Sequence, residues 1–280
     1  MNHPAQAGHS HPRVPQIVAH RGASTEAPEH TYAAYVAALE AEADALECDV
    51  RLTADGHLVC VHDRKVDRTS DGSGRVSSLE LARLEELDFG FWHESADVRD
   101  GEEPDLDASR VLTLRRLLDL VDTAPRRVEL AIEVKHPSRY GAKVEQSVVA
   151  LLDEYGWAPR RPGQHSPVRV MSFSSSAVRR TRRLAPGLRT VFLMEPFGYR
   201  ARAGALPFGV PIAGPAIEIL RTRPEAVARW HRAGHEVHVW TVDEPADFEL
   251  CLALGVDAVI TNRPRALRSA LSAHVSSPSD

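Results

Sequence analysis

Short apolar segments alternate with longer segments of helical periodicity along most of the chain, and this alternation constrains the fold most strongly. Nine apolar segments are typical of strands, and they cover residues 16–20, 44–50, 58–62, 128–134, 168–173, 190–194, part of 206–215, 236–242 and 257–261. Strands that alternate with helices of about 10–15 residues favour a parallel sheet of βα units. We therefore predict an α/β fold, a (β/α)8 TIM barrel. A closed barrel of this kind needs eight strands, so one of the nine segments is short, peripheral or misread.

An open, doubly wound sheet is the rival architecture. That fold normally carries a glycine-rich dinucleotide-binding turn after its first strand. In this chain the first strand ends in His20-Arg21-Gly22-Ala23, which is not that motif. The sequence of this turn therefore favours the barrel.

The chain has 280 residues, which is enough for one barrel domain, and we place that domain at residues 16–272. Residues 64–110 interrupt the alternation of strands and helices, and they are too few to build a second large core. We therefore expect a small insertion after strand three. Residues 1–15 are polar and lack the apolar core of a secretory signal, so they are predicted to be a disordered lead-in. Residues 273–280 are predicted to be a disordered tail.

The charge and cysteine content of the chain exclude some classes of function. The net charge of −5 argues against a nucleic-acid-binding surface. No apolar run approaches the roughly 20 residues that a membrane-spanning helix needs. The three cysteines, Cys48, Cys60 and Cys251, lie in apolar segments without the spacing of a disulfide framework. This pattern fits reduced thiols and a cytoplasmic location, while the oligomeric state stays open.

Acidic side chains occur near the ends of two early strands. Glu47 and Asp49 are two residues apart in one strand and share a face, and Glu133 lies near the end of another. The carboxyl ends of parallel barrel strands converge on one mouth, so the three carboxylates are expected to meet there. Oxygen ligands without cysteine or paired histidine suit one divalent cation, Mg²⁺ or Ca²⁺. The alternative is that these side chains are solvated strand ends or partners of arginines.

Histidine and cationic side chains end the same strands. His20 and His62 are candidates for an acid–base pair, because histidine titrates near neutral pH, although a single strand-end histidine is usually structural. Arg21 and Lys135 are suited to binding an anion, and Lys135 is one of only three lysines beside thirty-one arginines. An anion site, a divalent cation and two imidazoles together suggest phosphoryl transfer. Glycoside hydrolysis by paired carboxylates accounts for fewer of these residues, since that reaction needs neither the cation nor the basic groups.

Eleven short motifs then follow one another along the chain: His20-Arg21-Gly22, Ala27-Pro28-Glu29-His30-Thr31, Glu47-Cys48-Asp49, Asp55-Gly56, His62-Asp63, Asp67-Arg68-Thr69, Leu112-Thr113-Leu114, Glu133-Val134-Lys135, Ser172-Phe173, Trp240-Thr241-Val242 and Gly255-Val256-Asp257. In this order they resemble the glycerophosphodiester phosphodiesterase family over about residues 16–266. The resemblance implies a (β/α)8 barrel with a small insertion after strand three. It also implies metal-dependent hydrolysis of glycerophosphodiesters, such as glycerophosphocholine or glycerophosphoethanolamine, to glycerol 3-phosphate and an alcohol.

The resemblance also implies roles for the strand-end residues. The implied metal ligands are Glu47, Asp49 and Glu133, and the implied catalytic acid–base pair is His20 and His62. The implied substrate-binding residues are Arg21 and Lys135 for the phosphate and Phe173 and Trp240 at the substrate entrance. From the residues alone, the two aromatic side chains fit the packing of the barrel equally well. The sequence does not decide which histidine is the acid.

One position departs from the family pattern. The family usually has asparagine where this chain has His30, so the loop beside Arg21 is expected to differ without loss of a ligand or an acid–base group. Two other functions stay open from the sequence. One is a lysophospholipase D or phospholipase-type phosphodiesterase on the same barrel, and the other is a non-catalytic phosphate-binding relative.

Overall fold

The computed structural model of the chain describes residues 14–93, 105–196 and 204–276. The described strands are β1 Gln16–His20, β2 Ala45–Leu52, β3 Leu58–Cys60, β4 Glu129–Val134, β5 Val168–Ser172, β6 Arg189–Met194, β7 Ile212–Pro215, β8 Glu236–Val239 and β9 Ala258–Thr261. The described helices are α1 Tyr32–Glu40, α2 Leu81–Glu85, α3 Leu106–Ser109, α4 Leu114–Asp122, α5 Lys143–Glu154, α6 Ser175–Leu184, α7 Ile217–Thr222, α8 Glu225–Arg232, α9 Pro245–Leu254 and α10 Pro264–Ser276.

Eight of the strands in these ranges are parallel and close into a barrel, which confirms the predicted fold class. Their order is β1-β9-β8-β7-β6-β5-β4-β2, and β1 pairs with β2 to complete the ring. The ninth strand is β3, which runs antiparallel to the upper part of β2 and pairs with no other strand among the described residues. The surplus segment in the sequence is therefore peripheral to the barrel, and it forms a short hairpin with β2.

Inward-facing residues follow the two-residue period of each strand and form layers. The middle layer is apolar and includes Val18, Ala131 and Met171. Larger apolar clusters fill the space between the barrel and its helices. Because the period is regular, the same faces that carry the apolar layer also carry the polar residues at each end of the barrel.

A buried layer of polar residues lies at the amino-terminal ends of the strands, and the sequence patterns did not predict it. Arg169 is 2% exposed and ion-pairs with Glu129 at 2.7 Å. His238 is buried beside Glu236, with 3.4 Å between Nε2 and Oε2. Burial, with the charge of Arg169, lowers the pKa of His238 to about 4. These groups close the end of the barrel that lies opposite the mouth.

The predicted insertion lies between β3 and α4. Its described part contains a short 3-10 helix, Val76–Ser78, together with α2 and α3. It packs a small apolar cluster of its own, including Val66, Leu84 and Phe89, against the outside of β3. Residues 94–104, which hold most of the acidic stretch in this region, lie outside the described residues. The insertion is thus anchored at the rim of the barrel mouth.

The ends of the chain bear on the predicted domain boundaries. Helix α10 continues to Ser276, so the predicted disordered tail does not begin at residue 273. Residues 1–13 and 277–280 lie outside the described residues, and their disorder stays a prediction. Within the described ranges, none of the helices has both the length and the apolar character needed to cross a membrane.

Candidate active site

The predicted site residues meet at the carboxyl-terminal mouth of the barrel because the register of the strands aligns them. His20 on β1 pairs with Glu47 on β2, and Asp49 on β2 pairs with Glu133 on β4. The side chains at all four positions point into the barrel, one layer above the apolar core. A cavity of about 160 Å³ opens at this mouth, and its lining includes His20, Glu47 and Glu133.

The three carboxylates form one buried cluster. Each of Glu47, Asp49 and Glu133 offers an oxygen, and these oxygens lie within 4.8 Å of one another. These residues are 1%, 1% and 7% exposed, respectively. Burial and the charge of Asp49 raise the pKa of Glu133 to about 8 and raise that of Glu47 well above its usual value. The protein therefore supplies less positive charge than these carboxylates need to ionise fully, as expected of a site that takes a cation.

Two cationic side chains border the cluster. Arg21 Nε lies 3.1 Å from Asp49 Oδ2, and Lys135 Nζ lies 2.8 Å from Asp49 Oδ1 and 2.9 Å from Glu133 Oε1. Although burial opposes ionisation, Lys135, His30 and Arg21 hold the pKa of Asp49 well below its usual value. Asp49 is therefore the carboxylate of this cluster that stays ionised at neutral pH.

Arg21 is itself held in place by its neighbours. Its backbone has a φ of 58°, and its N–H donates to the backbone oxygen and to Oε2 of Glu47, each at 3.1 Å. Its guanidinium donates to Glu29 Oε1 at 3.1 Å. Glu29 in turn accepts two bonds from Arg68 of the insertion, at 2.7 and 2.9 Å. The insertion therefore contributes to the position of a predicted phosphate-binding group.

The His20 imidazole has a defined orientation. Its Nδ1 lies 2.8 Å from Oδ1 of Asn262, which directly follows β9. The Asn262 amide donates to Asp243 at 2.6 Å, so its oxygen is turned toward His20. Nδ1 is then the protonated nitrogen, and Nε2, which lies 4.0 Å from Glu47 Oε2, is free to accept a proton. Burial and the neighbouring Arg21 charge lower the pKa of His20 to about 3, so the ring is neutral.

His62 reaches the same cavity by a different route from the one that we predicted. It does not end a parallel barrel strand, because β3 runs antiparallel to β2 and brings the chain back down toward the mouth. Val61 N–H donates to the Asp49 carbonyl at 3.0 Å, which sets the height of the next residue. His62 Nδ1 lies 2.7 Å from the Asp63 carboxylate, and His62 lines the cavity together with His20.

His30 is buried and contacts a predicted metal ligand. Its Nε2 lies 3.0 Å from Asp49 Oδ2, and its Nδ1 lies 2.9 Å from the Tyr35 hydroxyl, which donates to the Glu47 carbonyl at 3.1 Å. The backbone φ of His30 is 62°. The departure from the family pattern therefore changes more than the local loop, because this imidazole joins α1 to the strand that carries two ligands.

Aromatic and apolar side chains form the other half of the cavity. Phe173 and Trp240 pack edge to face with ring centroids 5.3 Å apart, and Phe173 is 37% exposed. Trp240 Nε1 donates to the Gly214 carbonyl at 2.8 Å, which holds the indole at the rim. The two rings line the mouth and do not fill the barrel interior, where Met171 and Leu193 lie below them.

All nine predicted site residues are thus found together at one mouth. The sequence analysis gave no orienting role to the residues that hold the site residues in place, and it noted His30 only as a departure from the family pattern and Arg68 only within a motif. The residues are Asn262, Asp243, His30 and Arg68. The rule that selects His20, a polar residue at the end of a parallel strand, also selects Asn262, so that signal was present. The contacts of His30 and Arg68 depend on loops and have no periodic signal. His136, which directly follows Lys135, contacts Glu145 on α5 at 2.9 Å.

Known proteins resemble this chain over nearly its whole length. The sequence model of the glycerophosphoryl diester phosphodiesterase family matches residues 20–266. A Mycobacterium tuberculosis protein named "Probable glycerophosphodiester phosphodiesterase 1" is 46% identical over 92% of this chain and 91% of its own length. A glycerophosphodiester phosphodiesterase of Caldanaerobacter subterraneus is 32% identical over 90% of this chain and 95% of its own length.

Solved structures agree with this assignment. The crystal structure of a glycerophosphodiester phosphodiesterase from Agrobacterium tumefaciens has a TM-score of 0.71 to this chain and 28% sequence identity. The match covers 91% of this chain and 99% of that structure. The chain therefore belongs to the glycerophosphoryl diester phosphodiesterase family, and it is a phosphodiesterase of that family.

Proposed function

We propose that the enzyme hydrolyses glycerophosphodiesters to glycerol 3-phosphate and an alcohol, in a reaction that depends on one divalent cation. One observation carries the proposal. Two oriented imidazoles, His20 and His62, line the same cavity as a buried carboxylate cluster and the cations Arg21 and Lys135. A phosphodiester needs charge neutralisation and two proton transfers to be hydrolysed, and this set of groups offers both.

Glu47, Asp49 and Glu133 would hold the cation. Three buried oxygen donors suit Mg²⁺ or Ca²⁺, and the raised pKa values of Glu47 and Glu133 fit a site that gains a positive charge. When bound, such a cation lowers the pKa of a coordinated hydroxyl or water and polarises a phosphoryl oxygen. Arg21 and Lys135 bind the remaining phosphoryl charge through their guanidinium and ammonium groups.

The histidines divide the proton transfers between them. His20 is neutral, and its Nε2 lone pair accepts the proton of the attacking oxygen, while Asn262 fixes the tautomer. Burial lowers the pKa of His62, and its bond to the Asp63 carboxylate opposes this effect and stabilises an imidazolium, so we assign His62 as the group that donates a proton to the leaving alcohol. In the net reaction the oxygen of water becomes bonded to phosphorus. The bond from phosphorus to the alcohol oxygen breaks, and that oxygen leaves with a proton.

Phe173 and Trp240 flank the entrance and contact the part of the substrate that enters last. Their edge-to-face pair gives one wall of the mouth a rigid apolar surface. We also propose a cytoplasmic location, which is supported by the free, buried state of Cys48, Cys60 and Cys251.

The test is release of glycerol 3-phosphate from glycerophosphocholine and glycerophosphoethanolamine, followed with a coupled dehydrogenase. Metal-stripped protein is assayed alone and after addition of Mg²⁺ or Ca²⁺. His62→Ala is expected to lower kcat by about 10²–10⁴-fold. The matched control is His57→Ala, because His57 is an exposed histidine that pairs only with Asp55 at 3.6 Å among the described residues.

Turnover that returns with the cation and is lost in His62→Ala, while His57→Ala stays active, supports the proposal. Release from an acyl-bearing diester but not from glycerophosphocholine would replace it with a lysophospholipase D activity. Binding of glycerol 3-phosphate without turnover of any diester would replace it with a phosphate-binding role.

A further inference from the structure

A second cavity of about 190 Å³ opens beside the active site. Its walls come from β2, from the insertion and from the loop between β4 and α5. Its charged lining residues are all cationic: Arg51, Arg64, Arg75, Lys135 and Arg139. We call this cavity the arginine groove. Lys135 also lines the active-site cavity, so the two cavities share a wall.

Four guanidinium groups without a carboxylate partner in the described part of the chain converge on the groove. Within the described residues, no carboxylate lies within ion-pair distance of Arg51, Arg64, Arg75 or Arg139. Many arginines elsewhere in the chain have such partners. The chain as a whole has a net charge of −5, so this local excess of positive charge is not a consequence of composition. The groove therefore presents a focused positive potential next to the catalytic cavity.

Hydrogen bonds hold the walls of the groove together. Arg51 donates from Nε and Nη2 to the His62 carbonyl at 3.0 and 2.6 Å, which fixes one guanidinium beside the acid–base pair. The Tyr140 hydroxyl donates to the Ser77 carbonyl at 2.9 Å and joins the β4–α5 loop to the insertion.

Phosphate matches the chemistry of this groove. Guanidinium groups bind phosphate oxygens through paired N–H donors, and the polar residues Ser77, Ser78 and Ser138 also line the groove. A ligand that occupies both cavities passes over Lys135, with one phosphorus at the carboxylate cluster and an anionic group among the arginines. Such a ligand carries two phosphate groups joined by a short polar linker.

We propose that the arginine groove binds a second phosphate on the alcohol part of the substrate. The preferred substrates are then glycerophosphodiesters whose alcohol carries a phosphomonoester, and diesters of choline or ethanolamine are poorer ones. This inference rests on the proposed hydrolase activity. It adds a specificity site to that activity, outside the metal ligands and the acid–base pair.

The test compares two diesters that differ only in the second phosphate, glycerophosphoinositol and glycerophosphoinositol 4-phosphate. Release of glycerol 3-phosphate from each is measured with wild type, Arg64→Gln, Arg75→Gln and the double variant. The matched control is Arg232→Gln, because Arg232 is an exposed arginine at the end of α8, far from both cavities in the fold. Titration calorimetry of His62→Ala with the same two diesters gives a readout that does not require turnover.

We expect wild type to favour the 4-phosphate by about tenfold in kcat/KM, and each single variant to reduce this ratio about threefold. The double variant is expected to bring the ratio near one, and added NaCl to lower it because salt screens the contact. Arg232→Gln keeps the wild-type ratio. His62→Ala is expected to bind the 4-phosphate about tenfold more tightly than the unphosphorylated diester.

Equal kcat/KM values for the two diesters in wild type, or a ratio unchanged in the double variant, would overturn the inference. Sedimentation with vesicles of phosphatidic acid and phosphatidylcholine tests a lipid headgroup as the source of the phosphate. Vesicle binding that depends on Arg64 and Arg75, without preference between the soluble diesters, would also overturn it. Failure of the hydrolase proposal is distinguishable, because no diester would then be turned over, whereas calorimetry would still report on the groove.

Discussion

His30→Ala tests whether a buried imidazole in a loop positions a metal ligand. His30 is 5% exposed and bonds to the Asp49 carboxylate at 3.0 Å and to the Tyr35 hydroxyl at 2.9 Å. Alanine removes both bonds and leaves Asp49 with its ion pairs to Arg21 and Lys135 alone. We expect the carboxylate to lose its fixed orientation and the protein to lose stability.

The magnitude follows from the contacts that are lost. A hydrogen bond to a charged group contributes about 1.5–3 kcal/mol, and a neutral one about 1 kcal/mol. Histidine and alanine both carry a Cβ at this φ of 62°, so the exchange adds little backbone strain. The free energy of unfolding should therefore fall by about 3 kcal/mol. The affinity for the divalent cation should fall by about 10–100-fold, as for other groups that orient metal ligands.

Urea unfolding gives the first quantity, and titration calorimetry with Mg²⁺ or Ca²⁺ gives the second. His30→Asn is the informative companion, because asparagine also tolerates a positive φ and keeps a polar side chain at this position. Tyr35→Phe removes the contacts of the hydroxyl to His30 and to the Glu47 carbonyl, and it should leave cation affinity within about threefold of wild type. A His30→Ala protein with wild-type cation affinity and less than about 1 kcal/mol of destabilisation would refute the reasoning.

Two further predictions concern stability. His238 has a pKa of about 4 in the folded protein and 6.5 when unfolded, so the unfolded chain gains the proton first as the pH falls. Stability is lost as the pH falls from 6.5 to 4, and the free energy of unfolding drops by about 2 kcal/mol between pH 7.5 and 5. In urea unfolding, the free energy of unfolding of His238→Gln should depend less steeply on pH than that of wild type. The same dependence on pH in both proteins would contradict the assignment. Gly22→Ala places a Cβ 2.6 Å from the Ala34 backbone at a φ of 86°, so it should destabilise the protein by about 3 kcal/mol and disturb Arg21. Gly156→Ala, at a φ of 71° with nothing within 4 Å of the added Cβ, should cost only about 1 kcal/mol, and equal losses at the two positions would show that crowding is not the cause.

The two-residue period of side chains along a strand made much of the site predictable. Glu47 and Asp49 are two residues apart in one strand, so they must share a face, and parallel strands bring their carboxyl ends to one mouth. These two regularities are local or topological, and they place His20 and Glu133 beside the first pair without any knowledge of side-chain packing. The choice of a closed barrel over an open sheet followed from the turn after the first strand, because His20-Arg21-Gly22-Ala23 is not the glycine-rich dinucleotide motif.

Other features depend on chain reversals that no period encodes. His62 enters the cavity because β3 turns back along β2, whereas the sequence indicates only an apolar run that ends in histidine. The arginine groove forms because the insertion docks against the β4–α5 loop, which brings Arg64 and Arg75 to the same cavity as Arg139. None of these arginines is distinctive in a chain with thirty-one of them.

The sequence by itself determined the alternation of strands and helices, the faces that their residues occupy and the chemical type of the groups at the mouth. The tertiary structure decided which groups orient them: Asn262 bonds to His20 across 242 positions of the chain, and His30 bonds to Asp49 from a loop. The physical reason is that periodicity specifies the direction of a side chain relative to its own strand or helix. The partner that it meets depends on how distant segments pack, and that is settled only when the barrel closes.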